Sequence, residues 1–294
     1  EIVEKALNDS ELHVKLNDGI YTPENPKNIK TLGLNPETME VVEKDISAFI
    51  KREGEPYLYE IYTNTGKTVC TTGCHPVMIF RDGKIVSEVI NNLKEGDFIA
   101  APRIIRFNNK EYIKFEDKTI DENLSRLLGY LIGDGYIRDD RIEFVNADRE
   151  LLDNFLDVLN SSFKLKKEIY KRKDGKTERF IHRDKEICKY IKDLFRRKYG
   201  EKLVNEWKII PPEILLSPDI VVSNLLASLF DCDGYMGASE FEFSTKNKKL
   251  ANQVQLLLLR YGIISVLKEK EKYASNTKDK IKRIVEKAEL KVKN

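Results

Sequence analysis

One pattern occurs twice in this chain. LLGYLIGDGY runs from Leu127 to Tyr136, and LASLFDCDGY runs from Leu226 to Tyr235. Each is an apolar run with small residues four apart, Gly129 and Gly133 in the first copy and Ser228 and Cys232 in the second, and each closes on Asp-Gly-Tyr. Four-residue spacing places the small residues on one helical face, where two helix backbones can approach closely. Helices packed that way bring their C-terminal ends together, and with them Asp134 and Asp233. Carboxylates are disfavoured at a helix C-terminus and repel each other; a hard divalent cation relieves both conflicts. The duplication continues past the motif. IEFVNADRELLDNFLDVL (142–159) and FEFSTKNKKLANQVQLLL (241–258) both run strand, polar turn, amphipathic helix. A duplicated unit of this kind implies a two-fold site, a geometry suited to divalent metal ions and a symmetric substrate such as duplex DNA.

Length and composition are consistent with that reading. The chain has 294 residues, enough for about two domains. Net charge is only +2, so attraction to a polyanion has to be local. It is concentrated between Lys164 and Lys202, where 16 Lys or Arg face 7 Asp or Glu. Within it KLKKEIYKRK followed by a DGK turn reads as a basic hairpin, and a two-stranded ribbon fits a major groove. Cys70, Cys74, Cys188 and Cys232 are scattered without a disulfide or zinc pattern. With no membrane-length apolar run, the expected setting is the cytoplasm.

The first hundred residues read as mostly β. Strands are expected at Lys30–Leu34, Tyr57–Thr63, Thr68–Thr72 and Val77–Phe80, separated by NPET, NTGK and RDGK turns, with a tight turn in LKEGDFIAAPR (93–103). Residues 106–121 read as a polar, irregular linker. From there the pattern is α+β, with helices at 123–133, 148–162, 185–199, 221–232 and 247–261 and strands at 142–146, 164–171, 178–182 and 240–244. Gly135 and Gly234 are expected to end their helices in the left-handed conformation. Whether the second half carries its second hairpin is left open, since Glu269–Asn294 is highly charged with few strand signals.

The paired motifs resemble those of LAGLIDADG (DOD-type) homing endonucleases over about residues 125–270. The resemblance implies αββαββα halves whose motif helices form the interface and whose four-stranded saddles lie on double-stranded DNA. It implies Mg²⁺ or Mn²⁺ held by Asp134 and Asp233, assisted by the carbonyls of Gly133 and Cys232, and metal-dependent cleavage of both strands. WKIIPPEIL (207–215) resembles the family's KRIPxEIL element and makes Lys208 a catalytic candidate; Asn146 and Thr245 stand where the family places polar, water-holding residues. Phosphate contacts are expected from Lys166, Lys167, Lys171, Arg172, Lys173, Arg179 and Arg183.

TTGCHPVMIF, with Thr72 and His75, resembles the N-terminal splicing block of archaeal-type inteins, and residues 20–103 resemble their β-rich Hint fold. There a His protonates the leaving nitrogen of an acyl shift and Thr72 orients the scissile peptide. Glu1 is not a nucleophile and no His precedes Asn294, so the chain as written is expected not to splice and reads as an intein fragment, its flanks being host extein sequence. The expected architecture is therefore a mainly-β Hint-like domain (1–105), a linker (106–121) and a duplicated α+β endonuclease domain (122–217 and 218–294), monomeric with pseudo-two-fold symmetry. Two other readings stay open: a DNA-binding or maturase-like module without cleavage, and an autoprocessing Hint domain with an inactive endonuclease.

Overall fold

Turn chemistry organises the first hundred residues. In the computed structural model, which describes residues 1–35, 37–107, 109–165, 170–174, 177–196, 208–272 and 285–293, the chain divides into two compact units, Glu1–Arg106 and Phe107–Asn294. Unit 1 opens with helix α1 (Ile2–Asp9), followed by β1 (Val14–Leu16), β2 (Gly19–Thr22), β3 (Lys30–Leu34), β4 (Val41–Asp45), β5 (Phe49–Arg52), β6 (Leu58–Tyr62), β7 (Thr68–Thr72), β8 (Pro76–Arg81), β9 (Lys84–Val89) and β10 (Phe98–Ile99). They form small antiparallel sheets: β1-β2-β5, β10-β8-β9 and the hairpins β3-β4 and β6-β7. The β8–β9 turn has Asp82 at φ 52° and Gly83 at φ 73°, the doubly left-handed pair that a two-residue hairpin with right-twisted strands requires. The turn before β10 places Gly96 at φ 94° and is tied by Asp97, whose carboxylate accepts from the Lys94 amide at 2.9 Å and from Arg81 at 2.9 Å.

Unit 2 begins in the stretch read as a linker, and there the structure corrects the reading. β11 (Lys114–Phe115) and β12 (Lys118–Thr119) form a short hairpin. Its Phe115 and the following Ile120 are buried in the core, and the Phe115 ring meets Tyr190 edge-on at 5.3 Å. Polar residues outnumber apolar ones in this stretch, which hid two core anchors. Next come α2 (Glu122–Gly133), β13 (Gly135–Ile137), β14 (Ile142–Asn146), α3 (Arg149–Phe163), β15 (Tyr170–Asp174), β16 (Thr177–His182) and α4 (Lys185–Arg196). The chain continues through α5 (Pro212–Leu215), α6 (Asp219–Asp233), β17 (Gly234–Met236), β18 (Glu240–Thr245), α7 (Lys248–Leu258), β19 (Ser265–Lys272) and β20 (Val285–Lys293). Caps set the helix starts: Asp121 accepts from the Leu124 amide at 2.9 Å, and Asp148 and Asn247 do the same for α3 and α7. Gly262, at φ 72°, closes the last turn after α7.

The two halves repeat in register as well as in order. One sheet runs β13-β14-β16-β15 and the other β17-β18-β20-β19. Gly135 faces Phe144 in the first, and 99 residues on Gly234 faces Phe243 in the second. The open question about the second half is thereby answered: β19 and β20 pair from Ser265↔Val292 to Lys272↔Val285. Their charge hid them. Ala288, Leu290 and Val292 alternate with Glu289, Lys291 and Lys293, a period-two pattern diluted below the usual strand signal. The short strands β13 and β17, three residues each, also escaped the sequence reading. Among the described residues no helix is long and apolar enough to cross a membrane.

Candidate active site at the paired helices

The centre of unit 2 is the α2–α6 pair, and its closeness depends on small residues. A Cβ added at Gly129 would lie 2.0 Å from Ser228 Oγ and 2.5 Å from the Leu225 carbonyl oxygen; at Gly133 it would lie 2.4 Å from Cys232 Cβ. Gly129 therefore opposes Ser228, and Gly133 opposes Cys232, as the spacing implied. Ser125 Oγ donates to the Val221 carbonyl at 2.7 Å. Arg126 meets Asp231 at 3.3 Å across the pair and donates through Nε to Asn154 of α3 at 2.8 Å. These contacts fix the helices in parallel register, with their C-terminal ends together.

Gly135 and Gly234 act differently from expectation. Gly135 is not among the positive-φ glycines, and Gly234 is extended at φ −87°, ψ 156°. Each starts a strand without entering the left-handed region, and Gly234 still closes α6 from its extended conformation, its amide donating to the Phe230 carbonyl. What excludes a side chain is proximity: a Cβ at Gly135 would lie 2.4 Å from Leu131 Cα, and one at Gly234 would lie 2.3 Å from the Phe230 carbonyl oxygen. The chain turns straight from helix into strand against its own last turn, which leaves Asp134 and Asp233 at the helix ends.

Asp134 is half-buried, and its Oδ2 accepts from Asn146 Nδ2 at 2.9 Å. Burial pushes its carboxyl above the usual range, opposed by the positive charge of Lys208 and by hydrogen bonds from Asn146 and Cys232. Lys208 Nζ donates to the Gly133 carbonyl. Burial pulls the Lys208 ammonium below its usual range, opposed by the charges of Asp233 and Asp134. The Cys232 thiol is held in its protonated form, chiefly by burial and then by the Asp134 charge. Residues remote in sequence hold Lys208 in place: Asn247 donates to its carbonyl at 3.0 Å, and Gln253 both accepts from and donates to the Ile210 backbone, at 2.9 and 2.8 Å. Lys208 is thus anchored by α7 of the second half while its amine reaches the first half.

Among the described residues no three His, Cys, Asp or Glu side chains converge as a metal-binding group. The donors at the helix ends are two carboxylates and terminal carbonyls. All are hard oxygens, a set that suits Mg²⁺ or Mn²⁺ with water completing the shell.

The basic residues separate by face. Lys171 pairs across the ladder with Phe180 and Lys173 with Glu178, while Arg172 pairs with Arg179. Phe180 is buried, so strand alternation puts Lys171 and Lys173 on its side and Arg172 and Arg179 on the opposite face. The Lys171 ammonium stands 5.1 Å from the Phe180 ring centroid. Arg179 bonds Glu143 at 2.9 Å, and Arg183 lies 3.8 Å from Asp140. Lys166 and Lys167 lie outside the described residues. Arg126, Asp231, Asn247 and Gln253 are not among the residues that the motifs mark as belonging to the site. Of these only Asn247 left a signal, because it stands 99 residues after the helix-capping Asp148.

In unit 1, Thr72 and His75 are the ends of one tight turn, with the His75 amide donating to the Thr72 carbonyl at 3.2 Å. His75 is exposed, and Thr72 Oγ1 lies 3.5 Å from Cys74 Sγ. The turn brings the two side chains to one end of β7.

A small-sheeted β unit joined to an internally duplicated α+β unit defines a two-part protein with its acids at a pseudo-two-fold helix pair. The intein splicing domain family model matches residues 6–291, and the chain belongs to that family. It is 32% identical over 251 residues to the replication factor C small subunit of Methanocaldococcus jannaschii, covering 83% of this chain and 12% of that protein. It is 34% identical over 210 residues to the RecA protein of Mycobacterium tuberculosis, covering 64% of this chain and 24% of that one. The chain therefore spans less than a quarter of each of these two relatives. Among solved structures it is similar to variants of the homing endonuclease I-DmoI, with a TM-score of 0.42 and 16% identity over 59% of this chain and 83% of the other.

Proposed function

We propose that the chain is an intein-type protein whose second unit is a LAGLIDADG-type endonuclease, hydrolysing phosphodiester bonds in both strands of a long double-stranded DNA site. In this reading residues 1–105 are the Hint-like splicing domain, and 122–217 and 218–294 are the two endonuclease halves of a monomer. The observation that carries the reading is the pair Asp134 and Asp233 at the ends of two abutting helices, with the Lys208 amine on the adjoining Gly133 carbonyl. Asp134, Asp233 and the carbonyls of Gly133 and Cys232 would hold Mg²⁺ or Mn²⁺. When bound, the ion supplies Lewis-acid stabilisation of the reacting phosphate. The chain's own groups do the positioning. Asn146 fixes the Asp134 carboxylate through its 2.9 Å bond, and Lys208 offers a cation to charge developing on phosphate oxygen. Arg172, Arg179 and Arg183 supply backbone contacts, so binding weakens as salt rises. Thr72 and His75 form the splicing block.

The test is cleavage of a randomised duplex library by the full chain with Mg²⁺. Double-strand breaks are expected, and Asp134→Asn or Asp233→Asn should lower cutting by about 10²-fold or more while binding persists. Cutting that survives both changes removes these acids from the mechanism. One observation favours a second reading, binding without cutting: Lys208 already occupies an oxygen that a metal would take. Tight binding with no breaks under any divalent ion would establish it.

A further inference from the structure

Lys208 donates to the Gly133 carbonyl, one residue before Asp134 and on the helix whose end would hold a divalent cation. The charges of Asp233 and Asp134 both bear on its ammonium. Its backbone is clamped by Asn247 and, through Ile210, by Gln253, so the amine is delivered to this oxygen by a fixed support, not by a wandering surface side chain. We propose that Lys208 is the built-in counter-ion of the metal-free site: it holds the Gly133 carbonyl and balances the paired carboxylates until a divalent cation displaces it. This rests on the reading of Asp134 and Asp233 as metal ligands.

The physics is competition. Two carboxylates at two helix C-terminal ends are disfavoured by the helix dipoles and repel each other, and a nearby cation relieves both effects. Lys208 supplies one, and a monovalent ammonium can hold one carbonyl and neutralise part of the acidic pair. A divalent ion requires the same carbonyl and carries like charge, so the two cannot share the site at full strength. The lysine should therefore stabilise the metal-free protein and lower its apparent metal affinity. It also gives the site a resting state in which the Gly133 carbonyl and the acids are satisfied before any metal or DNA arrives. A catalytic lysine with no counter-ion role would leave metal affinity in the DNA-free protein unchanged.

The experiment measures Mn²⁺ binding to the full chain without DNA, by calorimetry, for the unaltered protein, Lys208→Met and Lys208→Arg, each with and without Asp134→Asn. Melting temperatures are taken in parallel with and without Mn²⁺. The expected result is that Lys208→Met binds Mn²⁺ about tenfold tighter, equivalent to about 1.4 kcal/mol. The metal-free protein should melt lower and gain more on adding Mn²⁺. Lys208→Arg, which keeps the charge, should not tighten binding, and Asp134→Asn should remove the binding in every background. Equal or weaker Mn²⁺ binding by Lys208→Met, with Asp134 still required, overturns the counter-ion role alone. Binding indifferent to Asp134, or no binding in any variant, overturns the metal-site reading and the counter-ion role together.

Discussion

A single carboxylate shows how the outer face of the first sheet is held. Glu143 is 6% exposed, yet it accepts from Arg141 Nε at 2.6 Å and from Arg179 at 2.9 Å. Burial alone would raise its carboxyl, but the two arginines win and hold it below the usual glutamate value of 4.5. A depressed folded-state value means that the stabilisation is complete above about pH 4.5 and disappears as pH falls through the lower folded value. Glu143→Gln should therefore cost about 2 kcal/mol at neutral pH, the range for a lost charged hydrogen bond. The gap between the two proteins should narrow below pH 4 in urea melts at stepped pH; a gap independent of pH would assign the loss to packing. This residue also marks what sequence can and cannot show. Asp134, Asp233, Lys208 and Asn146 were legible because each belongs to a motif. The Glu143–Arg179 and Arg126–Asp231 pairs were not, because they join positions 36 and 105 residues apart, and a charge gives no sign of its partner.

At the scale of elements, the helix pair was the most legible part of the fold and the charged strands the least. Gly129, Gly133, Ser228 and Cys232 specify a close approach by their size alone, and the structure puts Gly129 against Ser228 and Gly133 against Cys232. Repetition then made the following strand and helix readable twice. The element ends were less readable: Gly135 and Gly234 look like helix-ending glycines, but they are required by the tight passage from helix to strand. The helix contact makes a coupled prediction. Gly129→Ala should destabilise by about 2 kcal/mol through overpacking, since its Cβ would meet Ser228 Oγ at 2.0 Å. Ser228→Gly in the same chain should recover part of that loss and no more, because the Leu225 carbonyl oxygen at 2.5 Å stays in place. A double-mutant cycle measures the coupling. Strictly additive losses would mean that the helices separate instead of clashing.

The two units differ in how much they bury, and that difference sets how the whole molecule should unfold. Unit 2 contains a continuous apolar cluster from Phe115 to Leu267, built on both motif helices, with Phe144 stacked on Phe155 at 4.4 Å. Among the described residues the buried apolar side chains of unit 1 are Ala6, Leu7, Phe49, Ile79 and Ile90. Many of its larger ones are open: Tyr57 is 75% exposed, Phe98 73% and Tyr62 70%. Its sheets are of two or three strands, and such pieces are marginal without a face to bury. Burial of apolar area is the main term holding a domain against chain entropy. Unit 1 should therefore melt first, in a separate and smaller transition, and unit 2 should melt later with most of the enthalpy. Calorimetry resolves the two steps, and hydrogen exchange assigns them: amides of β6 and β7 should exchange well before those of α2 and α6. Mn²⁺, if held at Asp134 and Asp233, should raise the second transition and leave the first in place. One transition with uniform exchange across both units would show that unit 1 draws its stability from unit 2, and the split in burial would then have no thermodynamic counterpart.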